Sequence, residues 1–472
     1  MAAEAVVAQG SSLDRWFGLR GRATDTPTEV RAGLTTFMVM SYIIVVNPVI
    51  LTTGATIAGL EVSFPAVVTS TCLVAGVMTL LMGAWANLPF ALAPGLGINA
   101  VVAFQLMVGL RYSFAEAMGV IVLEGLIITI LVLTGLRQRV LHALPMTLKL
   151  AIGAGIGLFI FAIGAYEAGL YVVPLGPTQG GTVAPPTAGA LGSFTSPSVI
   201  YAVLGLLLTI GLLRMGVRGA ILIAILVTTL VGMGIHLGAR VPLSSVPGKL
   251  EAPASIVALP DFRYVGVGVP GLSFLGKGSL LLAGVLATLS LMLSDFFDTA
   301  GTFTALSAEA GLLDAAGHVR EHEDRAYIVD SLGALAGGVV GSSSATTFIE
   351  SAAGIAEGGR TGLSSVVTAI PFFVAMWLAN VFAIVPQEAT AGALMVVGVL
   401  MLAAVAHEVP WRDFSLGLPA LFTVMLMPLT WSITNGIGAG VVLYTALHPR
   451  QAGPILWLLT IAFVLYFAIG TK

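Results

Sequence analysis

LLLAGVLATLSLMLSDFFDTAG, residues 280–301, opens as an unbroken apolar run and then sets two carboxylates, Asp295 and Asp298, inside it. A hydrocarbon core about 30 Å thick is crossed by about 20 helical residues, so the run reads as a membrane-spanning helix. A charge at the bilayer centre costs about 2.5–3.5 kcal/mol on insertion scales, so acids at such depth face a cavity or a partner rather than lipid. Their three-residue spacing puts both on one helix face.

The rest of the chain repeats the apolar pattern. It has 472 residues, 57% apolar and 9% charged, with a mean hydropathy of +1.01. A soluble domain carries roughly 25% charged residues. The reading is an all-α, polytopic membrane protein. The net charge of −3 carries no signal for nucleic acid, and the single cysteine, Cys72, excludes an intrachain disulfide. Residues 1–33 lack the basic start, apolar core and small-residue cleavage site of a signal peptide. Trp16, Phe17 and Leu19 among Arg15, Arg20 and Arg22 predict a short interfacial helix on the cytoplasmic leaflet.

Spans are predicted near 33–52, 66–84, 90–108, 114–135, 144–165, 197–214 and 217–238. A second series falls near 277–305, 326–342, 345–358, 361–383, 388–406, 414–430 and 434–448. The stretch 454–470 is a further span, an interfacial segment, or a sign that 414–448 is one broken element. With the N-terminus inside, thirteen Lys and Arg fall in inner loops against five in outer ones, which makes the N-terminus cytoplasmic. Segments 166–196 and 239–276, rich in Pro, Gly, Ser and Thr, read as extracytoplasmic loops. VTSTCLVAG (68–76) matches VDSLGALAG (329–337), and LPMTLKLAIGAGIG (144–157) matches VPQEATAGALMVVG (385–398), in the same order. A duplicated seven-span unit follows, and an odd count makes the second copy inverted.

Two spans are broken. FALAPGLGINA (90–100) holds a Pro and two Gly, and GSSSATTFIESAAGIAEGG (341–359) passes from small, β-prone residues to helix formers. Unwound backbone at membrane depth lines a cavity or is buried in protein, and half-helix N-termini then aim amides at a ligand. The intramembrane acids are Glu124, Asp295, Asp298, Asp330 and Glu350, and no Lys or Arg stands mid-span near the last four; Lys149 lies near the start of its own span. Acids with Asn and hydroxyls, and without adjacent cations, suit a neutral ligand rich in N–H donors, such as a flat heterocycle. Gln105 and Asn47 are further polar candidates, and Asn47, before Pro48, also suits capping a kink. No nucleophile–base constellation appears, and GLGINA lacks the surrounding βαβ unit of a dinucleotide loop. His318 and His322 in GHVREHEDR read as a charged loop rather than a metal site.

VVNPVIL (45–51), ALAPGLGINA (91–100), SDFFDTAGT (294–302) and TTFIESAAGIAEGGRTG (346–362) resemble the AzgA-like branch of the nucleobase–cation symporter-2, or xanthine/uracil permease, family, and the likeness runs from about Leu13 to Gly440. The resemblance implies a uracil-permease-like fold of 14 transmembrane segments in two inverted repeats of seven, with short strands in segments three and ten. It divides the chain into a cytoplasmic segment 1–30, a first repeat 31–238 (core 31–135, gate 144–238) and an extracytoplasmic loop 239–276. The second repeat is 277–448 (core 277–383, gate 388–448), followed by a hydrophobic segment 449–472.

It also implies a multi-pass protein of the cell (inner or plasma) membrane, importing adenine, guanine or hypoxanthine with protons and without a cofactor. Its substrate contacts fall on Asp295, Glu350, Asn99 and Gly97, with Phe90, Thr347, Ile349 and Ser351 beside them. On the residues themselves, acids without basic partners, proton coupling falls on one of Asp295, Asp298 and Glu350, with Thr299 extending the polar stripe. Asn435 stands where some relatives carry Asp. Glu350-Ser351, rather than Glu-Asn, argues against a uracil or xanthine specialist. The partners expected are a purine base and the lipid bilayer, and Gly-rich gate spans are compatible with a homodimer. Alternatives are an anion or other nucleobase transporter of the same fold, and a membrane enzyme or sensor.

Overall fold

The computed structural model describes residues 12–136, 144–172, 190–191, 193–239, 241–244, 249–253, 255–312 and 322–469. His318 and most of the loop expected at 166–196 lie outside the described residues. A short helix α1 (Ser12–Phe17) precedes α2 (Thr26–Met40) and α3 (Ile43–Ile57), which meet at Ser41–Tyr42 and together form one long apolar span. α4 (Phe64–Leu81) ends in a π-helical turn to Ala86. The strand β1 (Leu92–Pro94) leads into α5 (Leu96–Ala100), continued by a π-helical stretch to Gly109. Then come α6 (Phe114–Leu133), α7 (Met146–Glu167), a two-residue hairpin of β2 (Tyr171–Val172) with β3 (Ala190–Leu191), α8 (Pro197–Arg214) and α9 (Ala220–Ala239). The later part comprises α10 (Gly278–Glu309), α11 (Glu323–Val340), β4 (Ala345–Thr347), α12 (Ser351–Ala356), α13 (Gly362–Ala375, prolonged to Ala383) and α14 (Gln387–Ala406). α15 (Phe414–Thr430), α16 (Ile433–Leu447) and α17 (Pro454–Ile469) complete it.

Helix starts follow local chemistry. Asp25 accepts from Thr28 N at 2.9 Å with Pro27 in the first turn, and Ser113 with Glu116 forms a reciprocal capping box before α6. Among the described residues, seven helices are long and apolar enough to cross a membrane. Their outer faces carry exposed Leu204, Leu207 and Leu230, a pattern suited to lipid. The observed helices reproduce the predicted spans to the residue at 197–214 and 414–430, whereas the first span, expected at 33–52, runs from Thr26 to Ile57.

Packing repeats itself between the two parts. α7 packs on α14 and α15 as α14 packs on α7 and α8, and the pairs α6–α11 and α4–α13 do the same at the other end of the series. α7 and α14 run antiparallel at close range because Gly157 and Gly398 face each other. A Cβ on Gly157 would lie 2.7 Å from the Gly398 carbonyl oxygen, and one on Gly398 would lie 2.5 Å from that of Gly157.

Two expectations change. Phe17 and Leu19 are buried against Leu363, and Arg22 donates to the carbonyls of Asn87 (2.7 Å) and Arg360 (3.1 Å), so this segment docks on protein. Of its apolar residues, Trp16, 71% exposed, and Leu13, 43% exposed, fit an interfacial role. Of the stretch expected at 454–470, Pro454–Ile469 is a helix of its own, packed on α16 and α10, while α15 and α16 are separated by Trp431 at φ +51°.

Lys249, in the loop after α9, donates to the Ala383 carbonyl at 2.6 Å and sits over the Phe64 ring. Burial pushes its ammonium down to about 8, against which Glu388 pulls upward. The unfolded chain keeps this lysine protonated to higher pH than the fold does, so stability rises as pH climbs from about 8 toward the ordinary lysine value of about 10.5. Thermal unfolding of the wild type is expected to gain on Lys249→Met through that window; parallel curves would rule this out.

Candidate functional site

The two broken segments meet. β1 and β4 pair antiparallel in the register Leu92↔Thr347, Ala93↔Thr346 and Pro94↔Ala345. Gly95 N to Ser344 O and Phe348 N to Ala91 O, both 2.9 Å, extend the ladder. The β-branched threonines favour extended backbone, and Pro94, lacking an N–H, is the last residue of β1.

Neighbouring helices hold each strand from behind. Thr79 Oγ1 of α4 accepts from Leu92 N (2.9 Å) and donates to Leu92 O (3.1 Å). Asp330 of α11 does the equivalent for β4: its Oδ1 accepts from Thr347 N (2.9 Å) and Thr347 Oγ1 (2.8 Å). Its Oδ2 accepts from Thr299 Oγ1 of α10 (2.7 Å), which shares a 2.9 Å bond with Thr346 Oγ1. Ser351 Oγ accepts from Ala91 N at 3.0 Å, and Asn47 Nδ2 donates to Thr71 Oγ1 (2.8 Å) and Ser342 O (3.0 Å).

Glu350 lies between β4 and α12, and Tyr42 at the α2–α3 break donates to its Oε1 at 2.6 Å. Asp298 is within electrostatic reach of both Asp330 and Glu350. Asp295, 1% exposed, precedes Asp298 on the same helix and Thr299 follows it. The strand crossing therefore gathers α10, α11 and the break in the first span around one group of acids.

Other expected positions divide. Asn99 of α5 is fully buried, and neither its Oδ1 nor its Nδ2 has a hydrogen-bond partner among the described residues. Buried amides are ordinarily satisfied, so Asn99 stands out as a group with bonding capacity to spare. Ile349 is 50% exposed beside Glu350. Thr347 and Ser351 have hydroxyls engaged as described. Phe90 is buried edge-on to Phe303, at 5.0 Å between ring centres, in an apolar cluster with Tyr327. Asn435 N is bound to Ser432 Oγ at 3.2 Å, and Gln105 Nε2 donates to Thr434 Oγ1 at 2.5 Å. Glu124 is buried on α6 with neither oxygen bonded among the described residues.

The short half-helix does not offer its first amides to a ligand as expected. Ser351 N and Ala352 N donate to the carbonyls of Phe348 (3.1 Å) and Ile349 (3.0 Å), because the chain turns tightly after the strand. Sequence reasoning missed Tyr42 and Thr79, and left Asp330 without a role; the polar Ser41-Tyr42 pair in an apolar run was the available signal.

Gly97 faces Ile156 of α7, and a Cβ there would lie 2.5 Å from Ile156 Cγ2, a stiff β-branched methyl. Gly97→Ala is therefore expected to push α5 off α7 and lower thermal stability, with recovery in Gly97→Ala/Ile156→Ala. An unrecovered double variant would show that the glycine acts elsewhere.

With this geometry described, a family model for permeases of the xanthine/uracil type matches residues 27–438. The chain belongs to the xanthine/uracil permease family. Within it, the adenine permease AdeP of Escherichia coli (strain K12) is 35% identical over 461 residues, covering 96% of this chain and 95% of that protein. The guanine/hypoxanthine permease PbuG of Bacillus subtilis (strain 168) is 33% identical over 453 residues, covering 94% and 97%. Among solved structures, the transmembrane domain of a cyanobacterium bicarbonate transporter, BicA, aligns with a TM-score of 0.59 at 16% identity, covering 88% of this permease and 97% of that chain. SLC26A9 aligns at 0.58 and 11% identity, covering 90% and 65%. These two likenesses concern the fold alone. A multi-pass permease with a nucleobase-transporting kinship is the result.

Proposed function

We propose that this permease imports purine bases, adenine, guanine or hypoxanthine, by proton symport with alternating access. The observation that carries the reading is the acid group at the strand crossing, Glu350 with Tyr42 on one oxygen and Asp298 in electrostatic reach, in a chain related to adenine and guanine/hypoxanthine permeases. With Oε1 taken by Tyr42, Oε2 of Glu350 is the acceptor for a ring N–H, and buried Asn99 supplies a donor and an acceptor to the opposite edge. Asp295 contacts the base or orients Glu350. One of Asp295, Asp298 and Glu350 takes the coupled proton, which lowers the expense of carrying carboxylates through a low-dielectric state.

The architecture proposed is fourteen segments in two inverted repeats. The mirrored packing of α7, α8 and α14, α15, with antiparallel β1 and β4 at the centre, supports it. Segments 31–135 and 277–383 form the core, 144–238 and 388–448 the gate, in an inner or plasma membrane with the N-terminus cytoplasmic. A homodimer through the gate is part of this reading.

Asp295→Asn is expected to abolish or strongly weaken purine accumulation while the protein remains in the membrane. Wild-type accumulation by that variant would sink the assignment. Purine-dependent proton influx into proteoliposomes, with labelled hypoxanthine competed by adenine and guanine, separates this reading from anion transport and ranks the three bases.

A further inference from the structure

Glu167 closes α7 at 3% exposure, and neither carboxylate oxygen has a hydrogen-bond partner among the described residues. The antiparallel register that sets Gly157 on Gly398 and Gly164 on Ala391 runs on to Glu167 opposite Glu388, itself 2% exposed, and the two acids interact electrostatically. The wall beside them is apolar, an alanine cluster closed by Met395. Two other titratable groups face Glu388. Tyr201 of α8 donates its hydroxyl to the Thr228 carbonyl at 2.8 Å, and the Lys249 ammonium donates one N–H to the Ala383 carbonyl while attracting Glu388 electrostatically. Neither supplies a hydrogen bond to Glu167.

An ionised carboxylate buried without a donor is strongly unfavourable, and two facing carboxylates do not readily ionise together. One proton answers both problems, since it removes a charge and provides the missing O–H donor. A metal ion is the weaker occupant: among the described residues, no group of three or more His, Cys, Asp or Glu is placed to hold one. We propose that Glu167, facing Glu388 at the joined ends of α7 and α14, is a proton-binding site separate from the acids at the strand crossing. With the proton present an uncharged Glu167 faces Glu388; without it two carboxylates face each other across the helix pair. On the orientation proposed above, this site reports external pH to the gate.

The test uses purified full-length protein in liposomes with no purine present, compared by infrared difference spectroscopy between acidic and alkaline buffer. A titrating carboxylic-acid band is expected in the wild type, lost in Glu167→Gln, moved to lower pH in Glu388→Gln, and retained in Glu350→Gln. Where a single variant does not purify, the uncharged double variant E167Q/E388Q gives the same reading. An undiminished band in E167Q or the double variant overturns the proposal, as does a band that titrates in E388Q as in the wild type or is lost only in Glu350→Gln. Because no substrate is added, a negative result removes this site without bearing on purine transport.

Discussion

Asp330→Ala is expected to leave little folded protein in the membrane and no measurable uptake. The carboxylate is 3% exposed and accepts three bonds at 2.7–2.9 Å, from Thr347 N, Thr347 Oγ1 and Thr299 Oγ1. Hydrogen bonds to a charged acceptor contribute about 1.5–3 kcal/mol each, and donors left unpaired in a low-dielectric interior add their own penalty. Removing the acceptor is expected to cost on the order of 3–5 kcal/mol, against a typical total stability of about 5–15 kcal/mol. The damage is also local, because Thr347 is the β4 residue paired with Leu92, and Glu350 follows three residues later. Asp330→Asn keeps the shape but turns an N–H₂ group toward a donor, so it is expected to fold in part and transport at least tenfold more slowly. Fluorescence-detected size exclusion and labelled hypoxanthine uptake measure the two effects. Wild-type melting and uptake in the alanine variant would show that β4 needs no anchor from α11.

The contrast between Asp330 and the spans marks what a sequence conveys. Apolar runs report burial in lipid through their own composition, so spans such as 197–214 and 414–430 are readable to the residue. Pro94 and the threonines at 346–347 announce the broken segments for an equally local reason. The pairing of β1 with β4 needed the further idea that two halves face each other. Thr79 carried no such mark, lying in an ordinary apolar helix, and Tyr42, marked only by the polar Ser41-Tyr42 pair, takes its role from Glu350, 308 residues on. Phe17 and Leu19 misled because an amphipathic turn looks the same whether its apolar face meets lipid or protein. The amides of Ser351 and Ala352 misled because a half-helix start was read without the tight turn that occupies them.

Glu350→Gln should reduce uptake on the order of 100-fold, and Tyr42→Phe on the order of tenfold. Gln preserves volume but loses the charge, and its amide oxygen can satisfy only one of the two demands on the carboxylate. If that oxygen stays on the Tyr42 hydroxyl, the NH₂ group points where the base presents N–H, setting donor against donor. Forfeiting one charge-assisted bond of about 1.5–3 kcal/mol in this way corresponds to roughly one to two powers of ten. Tyr42→Phe leaves the charge and removes the 2.6 Å bond that holds the carboxylate in one orientation. Its cost is one of positioning, so it should largely disappear once Glu350 is already Gln. Uptake by the two single variants and the double variant closes a cycle in which the second change adds little to the first. If Tyr42→Phe costs as much in the Gln background as in the wild type, the hydroxyl acts on the substrate or on packing, and not through Glu350.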